Sequence, residues 1–234
     1  MSDVLPPASP PRRCLALIGA PGAGKSSAVH CVLDQGGSSV AHFGVKKFAL
    51  DLIRRQRPEV RPMHEAVLAG RVLPDEDVRA LLEIFLREEA AASDRVLVEG
   101  YPRSLRQHGD LRETLCAAGV GLAGLVVVAI DDETSVRRTR SRTACGRCAM
   151  PSAPNQTSLT CTSCGARMER RADDELTVLR ARLADYRRTE RDLRGLFGAD
   201  VFEVDGCLPP EGIADELARL LEITVLQPVP GGAR

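Results

Sequence analysis

The chain contains no tryptophan, and aromatic residues make up only 3% of it. A hydrophobic fraction of 44% is enough for a sizeable core, but Leu, Val, Ile and Ala have to fill it. Net charge is lacking as well, because 32 basic and 32 acidic side chains cancel. Without an excess of either sign there is no general pull toward nucleic acid or an anionic membrane, so any affinity for phosphate must come from local geometry. Aromatics interleaved with basic residues, which would stack on bases, are missing too. No apolar run approaches the roughly 18 residues of a spanning helix, and the Pro- and Ser-rich stretch 1–13 has no apolar signal-peptide core. The expected location is the cytoplasm, with no membrane and no nucleic acid among the expected partners. No internal repeat is visible.

At 234 residues, one α/β domain with a modest insertion fits better than two full domains. Strand candidates at 14–19, 39–43, 95–98, 125–130 and 201–204 alternate with helical segments at 25–33, 46–56, 62–68, 75–91, 105–118, from 132, from 173, and at 209–221. The 75–91 helix is the clearest of these. Pro74 precedes it, acids fill its first turn, and Val78, Leu81, Leu82, Phe85 and Leu86 share one face. Such alternation predicts a mostly parallel sheet covered on both faces, with ligands at the carboxyl ends of its strands. Residues 1–13 read as a disordered leader and 223–234 as a loose tail. Residues 143–168 are polar and break the pattern; they are too short for a domain and too long for an ordinary loop.

The segment Gly19-Ala20-Pro21-Gly22-Ala23-Gly24-Lys25-Ser26 fits G-x-x-x-x-G-K-[ST]. Its glycines let the backbone curl so that the N–H groups around Gly22, Ala23 and Gly24 point at a phosphate, and the following helix adds its positive dipole end. Lys25 can reach the β- and γ-phosphates of ATP, and the hydroxyl of Ser26 or Ser27 can reach a magnesium shell. The motif follows an apolar strand and opens a helix, which is the context that nucleotide binding requires.

The eight cysteines are unevenly placed. Cys14, Cys31, Cys116 and Cys207 are isolated and read as buried small hydrophobes. Cys145, Cys148, Cys161 and Cys164 form two Cys-x-x-Cys pairs, able to wrap one tetrahedral Zn²⁺ with Zn–S near about 2.3 Å. A polar stretch with almost no core would draw its folding energy from such a metal. A redox dithiol pair, unmetallated thiols and a nucleic-acid-binding ribbon are the other readings. The four histidines show no metal spacing and no nucleophile partner.

Glu99-Gly100-Tyr101-Pro102-Arg103 follows the strand at 95–98. With the phosphate loop, Arg171-Ala172-Asp173-Asp174 and Val204-Asp205-Gly206, it resembles the adenylate kinase family over about residues 14–222. The resemblance implies a P-loop three-layer fold with a central parallel five-stranded sheet. It also implies a helical monophosphate-binding arm at about 43–73 and a small zinc-knuckle lid at about 143–169. The implied reaction is reversible transfer of the γ-phosphoryl group of Mg-ATP to a nucleoside monophosphate, with AMP the first choice, by a monomer. By resemblance, Arg138 packs on the ATP adenine, while Arg142, Arg171 and Arg182 reach the phosphates and Arg103 grips the acceptor's phosphate. Arg138 and Arg142, four apart, share a helix face. Glu99 stands where the family has Asp, which orients magnesium-bound water. Asp173 and Asp174 resemble the family's lid-hinge pair, and they equally fit acids at a helix N-terminus. The resemblance makes the four-cysteine zinc structural.

On the acceptor side the chain departs from the family. Its Thr-Gly-Asp-x-x-Arg aligns with Phe43-Gly44-Val45-Lys46-Lys47-Phe48. Phe43 would narrow the base pocket or stack on a base, and Lys46 or Lys47 would have to replace an arginine fork with a point charge. Arg71 and Leu73 in the arm segment, Gly100, and Gln107 at the adenine edge keep the family pattern. The alternatives are a different monophosphate or specialised acceptor, or a nucleotide-binding protein with reduced catalysis.

Overall fold

The strand at the centre of the fold, β1 (Arg13–Gly19), is buried on both faces, with Cys14, Leu15, Ala16 and Leu17 fully enclosed. A strand covered on both sides reads as a continuous apolar run, which is why it was legible without alternation. The computed structural model describes residues 12–36, 39–69, 71–141, 143–145, 147, 159–169 and 175–226. Most of the expected leader, the end of the expected tail, and Gly70, Arg142, Cys148, Arg171, Asp173 and Asp174 lie outside the described residues.

From β1 the chain runs through α1 (Lys25–Gly36), β2 (Val40–Gly44), α2 (Val45–Arg54), α3 (His64–Leu68), α4 (Asp75–Glu88), β3 (Arg95–Glu99), α5 (Leu105–Ala117), β4 (Gly121–Ala129) and α6 (Asp132–Ser141). A short pair, β5 (Ala144–Cys145) and β6 (Met168–Glu169), precedes α7 (Leu176–Phe197), β7 (Val201–Asp205) and α8 (Pro210–Leu226). The main sheet is five-stranded and parallel, in the order β2-β3-β1-β4-β7. One face, including Ala16, Val98 and Val127, packs on α2, α4 and α5; the other, including Leu15, Leu17 and Val126, packs on α1 and α8. The expected α/β fold with its five-stranded parallel sheet is therefore the observed one. No described helix is long and apolar enough to cross a membrane.

Two extents differ from expectation for physical reasons. Strand β4 begins at Gly121, four residues before its Val-rich run, because pairing with β1 carries it through Gly124 across a register shift between Cys14 and Leu15. A Cβ at Gly124 would come within 2.7 Å of the Asp200 carbonyl and the Phe202 ring, so only glycine permits this approach to the neighbouring strand. The helix expected at 62–68 is present but starts two residues later, as α3, and a 3-10 turn at Pro58–Val60 precedes it.

The aromatic-poor chain concentrates three of its five phenylalanines in one place. Phe43 on β2, Phe48 on α2 and Phe85 on α4 have ring centroids 5.3–5.8 Å apart, with Phe48 edge-on to Phe85. This triad joins α2 and α4 to the end of β2. Each buried ring contributes about 1.5–3 kcal/mol by removal of apolar surface from water.

Candidate active site

At the carboxyl end of β1 the chain enters the glycine-rich loop, where Gly22 and Gly24 take φ of 78° and 92°, a left-handed region that side-chain-bearing residues avoid. A Cβ on Gly22 would also press on Thr139 Oγ1 at 2.9 Å, since α6 lies against the loop. Ser135 Oγ donates to the Pro21 carbonyl at 2.6 Å, locking that helix to the loop. The ammonium of Lys25 folds over the loop's rim and donates to the carbonyls of Gly19 (2.6 Å) and Ala20 (3.0 Å). These contacts hold the cation at the mouth of the loop.

Glu99 ends β3, the strand between β1 and β2, and closes the loop from the side. The Ser26 hydroxyl donates to Glu99 Oε1 at 2.5 Å, and His42 Nε2 meets Oε2 at 3.0 Å. Burial alone would push this carboxyl up, but the His42 and Ser26 hydrogen bonds and the nearby Lys25 charge outweigh it and hold it down at about 2. The site thus keeps a fixed negative charge beside the loop.

The remaining expected residues fall into two groups. Arg138 on α6 donates to the Gly206 carbonyl at 2.6 Å, tying α6 to the end of β7, and Arg182 sits half-buried on α7. On the acceptor side Arg103 is exposed; its Nε donates to the Gly100 carbonyl at 2.6 Å, and its backbone N–H donates to Gln107 Oε1 at 2.7 Å. Gln107 Nε2 in turn donates to Asp75 Oδ1 at 2.6 Å. A groove of about 510 Å³ opens beside Arg103 and Arg106, with Asp185, Arg188 and Thr189 of α7 on its far wall. A second cleft of about 850 Å³ lies between α6 and α7, lined by Arg137, Arg140 and Arg180 among others, and includes no residue of the phosphate loop.

In the lid segment Cys145, Cys161 and Cys164 bring their sulfurs within 4.8 Å of one another, with Cys145 and Cys164 at 3.5 Å. Cys145 pairs with Met168 across β5 and β6, and the Gly165 N–H donates to the Cys161 carbonyl at 2.9 Å, forming the tight turn. Sulfurs at these separations fit a tetrahedral ion bound at about 2.3 Å. Among the described residues of this segment, Met168 is the one buried side chain besides these thiols, with Ala166 half-buried beside it, so the donor set suits a metal better than a self-sufficient core.

A model of the AAA domain matches residues 18–150, more than half of the chain. The chain belongs to the AAA domain family. It is similar to the adenylate kinase of Fervidobacterium nodosum, with 29% identity over 74% of this chain and 79% of that one. Similarity to the adenylate kinase of Gemmatimonas aurantiaca is 29% over 90% of this chain and 99% of the other, and to that of Salinispora tropica 28% over 85% and 93%. This AAA domain protein is an adenylate kinase-like phosphotransferase of the nucleoside monophosphate kinase kind.

Within the AAA domain chain, the structure brings Lys25, Ser26 and Glu99 together at the loop, and Gly100, Arg103 and Gln107 together beside the groove. Phe43 is a different matter. Of the two expectations for it, stacking on a base does not fit, because the ring is fully buried against Phe48 and Phe85. Leu73 is likewise buried, whereas Lys47 and Arg71 are exposed. Sequence reasoning overlooked Ser135, Thr139 and His42. The first two are fully enclosed polar residues four apart on α6 and face the loop; polar residues at helical spacing beside Arg138 were the available signal. His42 carried no motif at all.

Proposed function

We propose that the protein transfers the γ-phosphoryl group of Mg-ATP reversibly to a nucleoside monophosphate, with AMP as the acceptor. The observation that supports this most is the closed circuit at the phosphate loop, in which Lys25 caps the loop and Ser26 Oγ sits 2.5 Å from Glu99. Phosphoryl transfer leaves a protein little covalent chemistry, so positioning and positive charge on the transferring group do most of the work. Backbone N–H groups of Gly22, Ala23 and Gly24 would cradle the phosphates, and Lys25 would leave the carbonyls of Gly19 and Ala20 for the phosphate oxygens. Arg138 would pack on the adenine of ATP. Arg142, Arg171 and Arg182 would bring charge to the phosphates as the lid closes. Arg103, released from Gly100, would present its fork to the acceptor's phosphate. Ser26, Ser27 and Glu99 would hold the magnesium shell; magnesium, when bound, neutralises charge between the β- and γ-phosphates.

On this reading residues 14–222 form the kinase domain, with an arm at about 43–73 and a lid at about 143–169 whose Cys145, Cys148, Cys161 and Cys164 hold structural Zn²⁺. The arm residues Lys47, Arg71 and Leu73, with Gly100 and Gln107, would frame the monophosphate. The chain works as a cytoplasmic monomer.

A second reading, a different acceptor, is favoured by two observations. A fully buried Phe43 stands where the family has threonine, and the Gln107 amide is engaged at both ends, by Arg103 N and by Asp75. The test is phosphoryl transfer from Mg-ATP to AMP, CMP, UMP, GMP and dTMP. Turnover greatest with AMP supports the first reading. Preference for another monophosphate supports the second, and tight ATP binding with no transfer to any of the five overturns both.

A further inference from the structure

Glu99 carries one methylene more than an aspartate would, and with it one more rotatable bond between the strand and the carboxylate. Something must hold that longer arm if one oxygen is to stay aimed at the phosphate loop. The structure supplies it from the neighbouring strand. β2 and β3 pair in parallel with Gly44 opposite Glu99 and His42 opposite Leu97, so His42 and Gly44 point to the same face of the sheet. Gly44 lies beside the pair on that face; a Cβ there would make ordinary van der Waals contact with His42 Nε2 at 3.4 Å and Glu99 Oε2 at 3.7 Å. The His42 side chain is 3% exposed, and its Nε2 lies 3.0 Å from Oε2, while the other oxygen faces Ser26 Oγ at 2.5 Å. His42 Nδ1 has no partner among the described residues. All of the hydrogen bonding seen for this imidazole is therefore spent on one oxygen of Glu99.

We propose that His42 is a positioning residue for phosphoryl transfer, whose Nε2–H fixes Glu99 so that Oε1 is presented to Ser26 and the phosphate loop. It touches neither nucleotide nor metal; it acts through Glu99. The inference rests on the role given to Glu99 above, and the variants are chosen to separate the two. Residues that orient a metal-shell ligand change affinity or activity by about 10- to 100-fold when removed. Replacement by Leu keeps bulk without a donor, and replacement by Gln returns an N–H at similar reach.

The experiment compares His42→Leu, His42→Gln and Glu99→Gln with the wild type. In His42→Leu, kcat falls about 10- to 100-fold with the acceptor KM within about twofold. His42→Gln recovers to within about threefold of wild type. By calorimetry, ATP binding in EDTA is unchanged in every variant, whereas Mg-ATP binding weakens in His42→Leu and Glu99→Gln alike. In the metal-free, nucleotide-free wild type, ¹⁵N spectra of the imidazole show a proton on Nε2. A bare Nε2, or a folded His42→Leu with wild-type kcat and Mg-ATP affinity, overturns the inference, as does a His42→Gln variant as poor as His42→Leu. If Glu99→Gln weakens Mg-ATP binding and His42→Leu does not, only the His42 inference fails. If Glu99→Gln has no effect, the role of Glu99 itself fails. Should His42→Leu not fold, the ¹⁵N measurement and the His42→Gln kinetics still decide, since Gln with wild-type Mg-ATP affinity and an Nε2–H in the wild type are both required.

Discussion

Strands β1 and β2 flank β3 in one sheet, and each ends beside a site element, yet the two ends are built differently. After β1 the chain makes a loop with two left-handed glycines and a lysine bonded to its own carbonyls. After β2 it makes no loop at all: Gly44 ends the strand and caps α2 directly, with Phe43 and Phe48 turned into the core. The first end is shaped by the backbone's need to meet phosphate, and few residue types permit that shape. The second is shaped by packing, which many residue types satisfy. The end of β1 therefore carries a motif, whereas the end of β2 is set by its core.

The sharpest test of the donor side is Lys25→Ala. Removing the cation from the loop should lower kcat by at least about 100- to 1000-fold, with melting temperature little changed, because the side chain's visible bonds are to loop carbonyls that water can serve. Near-normal turnover would break the comparison at its stronger end. Phe43→Ala tests the other side: a fully buried ring lost from the triad should cost about 3–5 kcal/mol in chemical denaturation, while ATP affinity stays within about twofold. If the variant keeps full stability and only the acceptor KM moves, Phe43 belongs to the pocket and the contrast between packing and motif disappears.

The lid segment is a third kind of region, whose described residues bury little besides Cys145, Cys161 and Met168. Prolonged chelation, or Cys161→Ser, should lower the melting temperature by about 3–8 °C, and elemental analysis of the untreated protein should find zinc at one ion per chain. An unchanged melt with no metal would remove the knuckle. The smallest effect concerns an exposed pair beyond α2, where Arg57 donates to Glu88 of α4 at 2.8 and 3.0 Å. Arg57, and then Arg87, hold the Glu88 carboxyl down from 4.5 to about 2. Its lowered value in the folded chain means that its contribution is complete above pH 4.5 and is lost as pH falls through about 2. Glu88→Gln should make acid unfolding slightly shallower across that window, and the difference should fade in about 1 M salt, because the pair is exposed.

The strands and helices of the main sheet were legible because doubly covered strands are apolar throughout and the helices between them carry caps and periodicity. Lys25 and Glu99 were legible as members of motifs. The beginning of β4 was not, since Gly121 and Gly124 carry no apolar signal and are there to permit close approach. His42 was not legible either. Its importance comes from the register of two strands distant in sequence, and nothing local to it announces that register. Phe43 was legible as a departure, but its direction was not: an aromatic at a pocket position reads equally as a stacking platform or as core, and burial by Phe85 decides it.

Arg12, just ahead of β1, donates from its fork to the carbonyls of Ser93, Ala118 and Ala90, while β1 itself takes β3 and β4 as partners. All of these partners lie far downstream. On a ribosome the strand destined for the middle of the sheet is made first and stays unpaired on the order of ten seconds before β3 follows it out. For that interval Cys14-Leu15-Ala16-Leu17-Ile18 is a bare apolar ribbon with both edges open, and chains stalled before Arg95 have nothing to cover it. The same centrality that makes β1 the most protected strand in the finished enzyme makes it the most hazardous one in the nascent chain.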